Sequence, residues 1–189
     1  MIAHPGPANN NPDLTGGGPT CQVAPWLTVG GYNPGMPSTP VTQALEALGV
    51  PYRLHVHASP VRSLEQAARE RGLAPGQIVR SLVFRQEDGG VVLVLVAGPA
   101  RVSWPRLRLL LGVSRITTAT PEEVLEVTGY EPGAVSPYGL RRKVRLLADH
   151  SLRTHEILSI GAGIRNAGVL LAREDLESTL PLEWGGFTD

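Results

Sequence analysis

The chain is poor in cysteine, in lysine and in long apolar runs. Its single cysteine, Cys21, excludes an intrachain disulfide and a cysteine-rich zinc site, which fits a reducing cytosol. The longest apolar run, residues 91–97, is far shorter than the roughly 20 residues that span a bilayer. The N-terminus also lacks the basic start and apolar core of a signal peptide. We therefore expect a cytoplasmic protein with no membrane contact.

Neither charge is in excess, because 17 basic residues balance 17 acidic ones. No general field therefore attracts nucleic acid or a membrane, and a contact with RNA should be local or helped by a partner. Lys143 is the only lysine, so arginine supplies nearly all of the positive charge. The chain also lacks a Gly-x-Ser-x-Gly elbow and a P-loop, and covalent catalysis has no good candidate residue.

The composition divides the chain into a tail and one domain. Residues 1–37 are rich in Gly, Pro and Asn and poor in apolar residues, which predicts an N-terminal tail. The rest predicts a folded domain over residues 38–183 and a short C-terminal tail at 184–189. Capping residues, glycine stops and apolar periods predict helices at 40–48, 64–71, 103–111, 121–128 and 174–180. Strands are predicted at 52–57, 79–86, 91–97, 115–119, 144–148, 157–160 and 169–172. Because the strands come in runs, the class is α+β.

Two patterns suggest ligand sites but fit them poorly. Residues 161–168 look like a dinucleotide-binding loop, yet the third glycine has the wrong spacing and a strand follows where a helix is needed. This segment is either a Gly-rich strand connection or a backbone that closely approaches a ligand. His55 and His57 share one strand face, but a metal site would need a third ligand, so we expect no metal centre.

The segment 131–139 is the most informative stretch. It places two prolines and two glycines between a predicted helix and a predicted strand. Prolines restrict the backbone and glycines permit close approach, so we expect a rigid loop. Such a loop either is a rigid surface turn or presents the N–H groups of residues 134–136 to a carbonyl oxygen or a developing oxyanion.

The segment from Thr128 to Gly139 resembles the YbaK/prolyl-tRNA-synthetase-associated family, whose Gly-x-x-x-Pro loop matches Gly133 and Pro137. Three further segments resemble that family in order and separation: 57–63, 149–152 and 161–163. The resemblance runs from about residue 39 to about residue 181.

The resemblance implies a mixed, open, β-barrel-like sheet flanked by short helices. It also implies an aminoacyl-tRNA deacylase that hydrolyses the ester of mischarged tRNA and so serves translation fidelity. The implied partners are the tRNA acceptor end and, as a further candidate, an aminoacyl-tRNA synthetase; no cofactor or metal is implied. The implied site contains Arg80, Gly133 and Pro137 for catalysis, and Ala134, Val135, Ser136, Asp149, Gly161 and Gly163 for substrate binding.

Two positions depart from the family pattern. Arg80, within Val-Arg-Ser-Leu, stands where the family has a lysine, and Ala134 stands where a glycine is usual. Arginine keeps the charge and binds phosphate well, but it cannot shuttle a proton. A second candidate function is therefore a catalytically weakened binding module of the same fold that recognises aminoacyl-adenosine, the tRNA 3′ end or a synthetase. A third is a general esterase or phosphate-binding protein.

Overall fold

The computed structural model describes residues 37–189, so residues 1–36 of the predicted tail lie outside the described part. The helices are α1 (Pro40–Ala47), α2 (Leu64–Arg71), α3 (Trp104–Leu111), α4 (Pro121–Thr128) and α5 (Arg173–Thr179). The strands are β1 (Arg53–Val56), β2 (Val79–Gln86), β3 (Val91–Ala97), β4 (Ile116–Thr118), β5 (Arg145–Asp149), β6 (Ile157–Gly161), β7 (Ala167–Ala172) and β8 (Leu182–Gly185). None of these helices is long and apolar enough to cross a membrane.

The strands form two sheets. One has the order β1-β7-β6 and the other β4-β2-β3-β5-β8. In the larger sheet β5 runs parallel to both of its neighbours, while β2 runs antiparallel to β3 and β4. Neither sheet of the described part closes into a barrel. The predicted α+β class with a mixed, open sheet is therefore confirmed.

Local sequence signals set the beginnings of three helices. The side chains of Thr39, Ser63 and Thr120 accept hydrogen bonds from backbone N–H groups in the first turns of α1, α2 and α4, at 3.2, 3.1 and 3.3 Å. Each cap satisfies a donor that the helix itself leaves without a partner. As predicted, the apolar β3 lies in the interior of the larger sheet, between β2 and β5.

The residues of β3 divide the core into two clusters. Leu93 and Leu95 point into a first cluster that joins side chains of both sheets, whereas Val92 and Val94 point into a second cluster beneath α3. The division follows from the alternation of side chains along a strand. The first cluster therefore fills the space between the two sheets.

Residues 184–189, expected as a short tail, belong to the folded domain. The strand β8 pairs with β5, and Phe187 is completely buried in the second cluster. Neither feature has a local signal, because the partners of these residues lie far away along the chain. The folded domain consequently extends to the last described residue.

Candidate functional site

A cavity of about 540 Å³ lies among α2, β2, β6 and the loop 131–139. Its volume suits a small ligand. One wall is an open strand edge, because β4 pairs with β2 only at residues 84–86. The cavity brings together four of the residues expected in the site, namely Arg80, Gly133, Val135 and Gly161.

The floor and the rim of the cavity differ in character. The buried lining residues are apolar with one exception, Arg71: Ala67, Ile78, Val79, Val135, Ile160 and Ala167. The exposed lining residues are mainly polar and include Arg62, Ser63, Arg165 and Asn166. A ligand therefore meets a polar rim before it reaches an apolar floor.

The loop 131–139 begins with a tight turn. The N–H group of Ala134 donates to the carbonyl oxygen of Glu131 at 3.0 Å, and Gly133 between them has a φ of 89°. Pro-Gly at the centre of such a turn is the type II arrangement, which needs a positive φ at the glycine. The Ala134 N–H is thus occupied, whereas those of Val135 and Ser136 donate to no group within residues 37–189.

The ends of the loop are tied together by a tyrosine. The hydroxyl of Tyr130 donates to the carbonyl oxygens of Tyr138 and Gly139, at 2.7 and 3.0 Å. Burial raises the pKa of Tyr130 to about 12, so the phenol keeps its proton for this bond. At the rim, Arg165 donates to the Glu131 carboxylate at 2.7 Å. The loop is consequently held before any ligand binds.

Three of the expected loop residues do not border the cavity. Ala134, Ser136 and Pro137 are buried and are not among its lining residues, so Val135 and Gly133 carry the contact with the open space. Since Ala134 is 2% exposed, its methyl group serves packing.

The Gly161–Gly163 segment receives the backbone of this loop. A Cβ atom at Gly161 would overlap the carbonyl oxygen of Val135 and lie 3.0 Å from that of Ala134. The N–H group of Gly163 donates to the Ala134 carbonyl oxygen at 3.1 Å. The segment is a strand connection between β6 and β7, and the backbone that approaches it closely is that of the loop.

Arg80 borders the cavity, but its hydrogen bond leads away from the loop. A terminal nitrogen donates to the carbonyl oxygen of Ala100, after β3, and Nε is buried without a partner. Arg80 lies on the same face of β2 as Leu82 and Phe84, which pack on the second cluster. Burial lowers the pKa of Arg80. Arg80 and Gly133 border one space, with no hydrogen bond between them in the described part.

Ser81 was not singled out from the sequence. It borders the cavity from the open edge of β2, and its Oγ is buried without a hydrogen-bond partner in the described residues. Buried hydroxyls in native proteins are usually satisfied, so the hydroxyl of Ser81 is a candidate to bond a group that enters the cavity. A single serine in a strand pattern carries no signal that would have revealed this.

Arg71 was also missed, although it is 9% exposed and borders the cavity. Its Nε donates to Nε2 of His57 at 3.2 Å and its Nη1 to Oγ of Ser159 at 2.9 Å. Since arginine only donates, His57 accepts at Nε2 and carries its proton on Nδ1, which donates to Glu70. The sequence signal that could have identified Arg71 is its position four residues after the buried Ala67, on the same face of α2.

The structure supplies a third member for the histidine pair. His55, His57 and Glu70 offer ligand atoms that lie within 4.8 Å of one another. However, both ring nitrogens of His57 are already engaged, one of them by the Arg71 guanidinium. A metal ion at Nε2 would have to displace that cation, and the group therefore fits a hydrogen-bond relay better than a metal centre.

Asp149 lies apart from the cavity. Its carboxylate accepts from the N–H groups of Ser151 and Phe187, both at 2.9 Å, and from the N–H and hydroxyl of Thr188. Burial by itself raises the pKa of Asp149, but these hydrogen bonds outweigh burial and hold the pKa below its usual value. This geometry gives Asp149 the role of fastening the C-terminal segment.

The chain is similar in sequence and in structure to several known proteins. A proline–tRNA ligase of Bacillus licheniformis is 36% identical over 107 residues, which are 57% of this chain and 18% of the ligase, so the chain spans less than a fifth of that relative. The uncharacterized protein YwhH of Bacillus subtilis is 34% identical over 114 residues, or 60% of this chain and 72% of YwhH.

A solved structure proposed to be a trans-editing enzyme for prolyl tRNA synthetase superimposes with a TM-score of 0.74 and 29% identity. The match covers 79% of this chain and 95% of that protein. Residues 58–179, which include the α2 helix, the β2 edge, the loop and the Gly161–Gly163 segment, match the family model of the aminoacyl-tRNA editing domain. The chain therefore belongs to the aminoacyl-tRNA editing domain family, as the resemblance to YbaK and prolyl-tRNA-synthetase-associated proteins predicted.

Proposed function

We propose that the protein is an aminoacyl-tRNA deacylase that removes a wrongly attached amino acid from tRNA in the cytoplasm. One observation carries the proposal: a rigid loop with Gly133 and Val135 faces the open edge of β2 across a cavity sized for an aminoacyl-adenosine. The family membership supports the same reaction class. An aminoacyl-tRNA synthetase is a further candidate partner.

In the proposed reaction a water molecule attacks the ester carbonyl. A bond forms between the water oxygen and the carbonyl carbon, and the bond to the ribose oxygen breaks. The ribose oxygen leaves with a proton that the attacking water has given up. The Val135 N–H group, which has no partner in the described residues, supplies a donor to the oxyanion that develops. The loop needs no reorganisation, since Tyr130 and Gly163 already hold it.

The proposed role of Ser81 is to orient the ester or the water. A hydroxyl can donate to a carbonyl oxygen or accept from water, and it rotates to suit either partner. Ser81 borders the same cavity as Val135, and its buried Oγ atom lacks a hydrogen-bond partner in the described part. The two residues therefore flank the position proposed for the reacting carbonyl.

Replacing Ser81 with alanine is expected to lower kcat about tenfold while leaving stability unchanged or higher by about 1 kcal/mol. The removed hydroxyl has no hydrogen-bond partner in the described residues, and an unsatisfied buried polar group costs free energy. Single-turnover hydrolysis and urea unfolding measure the two effects. A loss of stability with unchanged kcat would assign the hydroxyl a structural role instead.

Arg80 is proposed to hold a phosphate of the acceptor end beside the cavity. Replacing it with methionine is expected to lower kcat/KM by about 10- to 100-fold, because one charge-assisted hydrogen bond contributes about 1.5–3 kcal/mol. Arg80→Lys should retain activity within about fivefold, since it keeps the charge. Arg85→Met serves as the control, because Arg85 is on the same strand, exposed, and paired with Glu123.

A panel of mischarged tRNAs distinguishes the deacylase from the binding module. The bond from Arg80 to the Ala100 carbonyl, which turns the guanidinium away from the loop, is the observation that favours the second function. Turnover above buffer for at least one ester supports the deacylase. No turnover by the native protein or by Arg80→Lys, together with binding of an aminoacyl-adenosine amide analogue, would establish the binding module.

A further inference from the structure

The cavity lining is basic, although one of its arginines, Arg165, pairs with Glu131 at the rim. Four of its lining residues are arginines, and none of its lining residues in the described part is acidic. Arg62 and Arg165 are exposed at the rim, whereas Arg71 is 9% exposed and belongs to the floor. Burying a cation in an apolar floor costs free energy unless a counter-charge or a ligand contacts it. The groups that contact Arg71 therefore indicate whether it is available to a ligand.

Arg71 forms no direct ion pair with a carboxylate of residues 37–189. Its Nε and Nη1 donate to the neutral acceptors His57 and Ser159, and its Nη2 makes no hydrogen bond in the described part. Desolvation lowers the pKa of Arg71 to about 10, so the guanidinium remains charged at neutral pH. A charged donor is thus available beside the cavity.

The guanidinium is held in one place. A Cβ atom at Gly168 would lie 2.7 Å from Nη2 and closer still to the central carbon, so the group packs flat against the β7 backbone. The relay from Glu70 through His57 aligns its Nε from the other side. Such fixation is what a site needs to discriminate between similar ligands.

The polar rim and the apolar floor indicate which part of an aminoacyl-tRNA lies beside Arg71. The acceptor end carries phosphates, which suit the rim, where Arg62 is exposed. In the proposed complex the adenosine therefore lies toward the rim, and the aminoacyl group extends to the floor between α2 and β6. Arg71 is therefore a neighbour of the amino-acid side chain rather than of a phosphate.

We propose that Arg71 is a specificity-determining residue that selects aminoacyl esters whose side chain carries a carboxylate. This inference rests on the proposed deacylase function and adds the substrate class to it. The carboxylate would accept from Nη2 and neutralise the buried cation. It would also offset the α-ammonium group of the substrate, which otherwise enters a cavity lined by four arginines.

The test compares isosteric pairs of substrates with the full-length protein. Hydrolysis of aspartyl and asparaginyl esters, and of glutamyl and glutaminyl esters, is measured on the same acylated tRNA. The native protein is expected to favour the carboxylate member of at least one pair by about tenfold or more, as a charge-assisted hydrogen bond predicts. In Arg71→Leu this ratio should fall to about one.

Two further variants separate selectivity from folding. Arg69→Leu removes an exposed arginine from the same helix, outside the cavity, and should leave the ratio unchanged. Gly168→Ala keeps Arg71 but displaces its guanidinium, and should lower the ratio. Overpacking should lower the thermal stability of this variant, so circular dichroism at the assay temperature checks that it remains folded.

Binding of non-hydrolysable amide analogues of aspartyl- and asparaginyl-adenosine separates the two proposals. Equal rates for both members of each pair would overturn the role of Arg71 and leave the deacylase standing. If no ester is cleaved but the aspartyl analogue binds at least tenfold more tightly, and loses this advantage in Arg71→Leu, selectivity stands and the deacylase is overturned. If no ester is cleaved and neither analogue binds more tightly than the other, both proposals are overturned.

Discussion

Replacing Gly161 with alanine is expected to lower kcat/KM for ester hydrolysis by about a hundredfold or more. The new Cβ would overlap the Val135 carbonyl oxygen and lie 3.0 Å from that of Ala134, so two backbone segments must separate. A displacement of about 1 Å of groups that position a substrate can cost about a hundredfold in rate. Overpacking should also lower the free energy of unfolding by about 1–3 kcal/mol.

Gly186→Ala is the matched control for this substitution. A Cβ atom at Gly186 would have its nearest neighbour, an atom of the His150 ring, at an ordinary 3.7 Å. Its kcat/KM and melting temperature should therefore stay close to the native values. If Gly161→Ala likewise kept the native kcat/KM, the loop 131–139 would not position the reacting ester.

Replacing Asp149 with alanine is expected to lower the free energy of unfolding by about 3–5 kcal/mol, the range for breaking a buried charged network. Asp149 is 2% exposed, and its carboxylate fastens Phe187 and Thr188. Without this carboxylate, buried N–H groups lose their acceptor, and the Phe187 backbone is no longer anchored beside the second cluster. Urea unfolding, monitored by the tryptophan fluorescence, measures the change.

Asp189→Ala provides the comparison within the same segment. The Asp189 side chain is 64% exposed, and its one ion pair within residues 37–189 is a 3.6 Å contact with Arg106. Its loss should therefore change stability by less than about 0.5 kcal/mol. The kcat/KM of Asp149→Ala itself should equal the native value at temperatures where this variant remains folded, because Asp149 does not border the cavity. A loss of kcat/KM in folded Asp149→Ala would instead support the substrate-binding role that the family resemblance implies.

The depressed pKa of Asp149 also sets the sign of a pH dependence. Its carboxyl binds protons more weakly in the folded state than in the unfolded one. Its contribution to stability is consequently complete above the unfolded pKa of about 3.9 and is lost as the pH falls through the lower folded value. Asp149→Asn should show less acid destabilisation in this range than the native protein.

The helices and strands could be predicted largely from local signals. Thr39, Ser63 and Thr120 cap the helices that they predict, and the doubly apolar β3 lies inside a sheet. The short β8 escaped prediction because its pairing with the distant β5 stabilises it, as does the anchoring of residues after it by Asp149. Such non-local pairing leaves no period in the sequence.

The residues of the site likewise divide into those that the sequence indicates and those that it does not. Gly133 and Gly161 could be recognised from the sequence, because a tight turn and a close backbone approach both demand glycine. Ser81 gave no such signal and Arg71 gave only its position four residues after Ala67, because a serine in a strand and an arginine in a helix are ordinarily exposed to solvent. Their burial beside a cavity depends on which elements pack against α2 and β2.

By itself the sequence determined the α+β class, the family and the rigidity of the loop 131–139, since caps, periodicity, prolines and glycines act within a few residues. Only the tertiary structure decided that Asp149 fastens the C-terminal segment, that Arg80 binds Ala100 and that Arg71 belongs to the cavity floor. These roles are set by burial and by the partners of a side chain, and both arise only when segments far apart in the chain pack together.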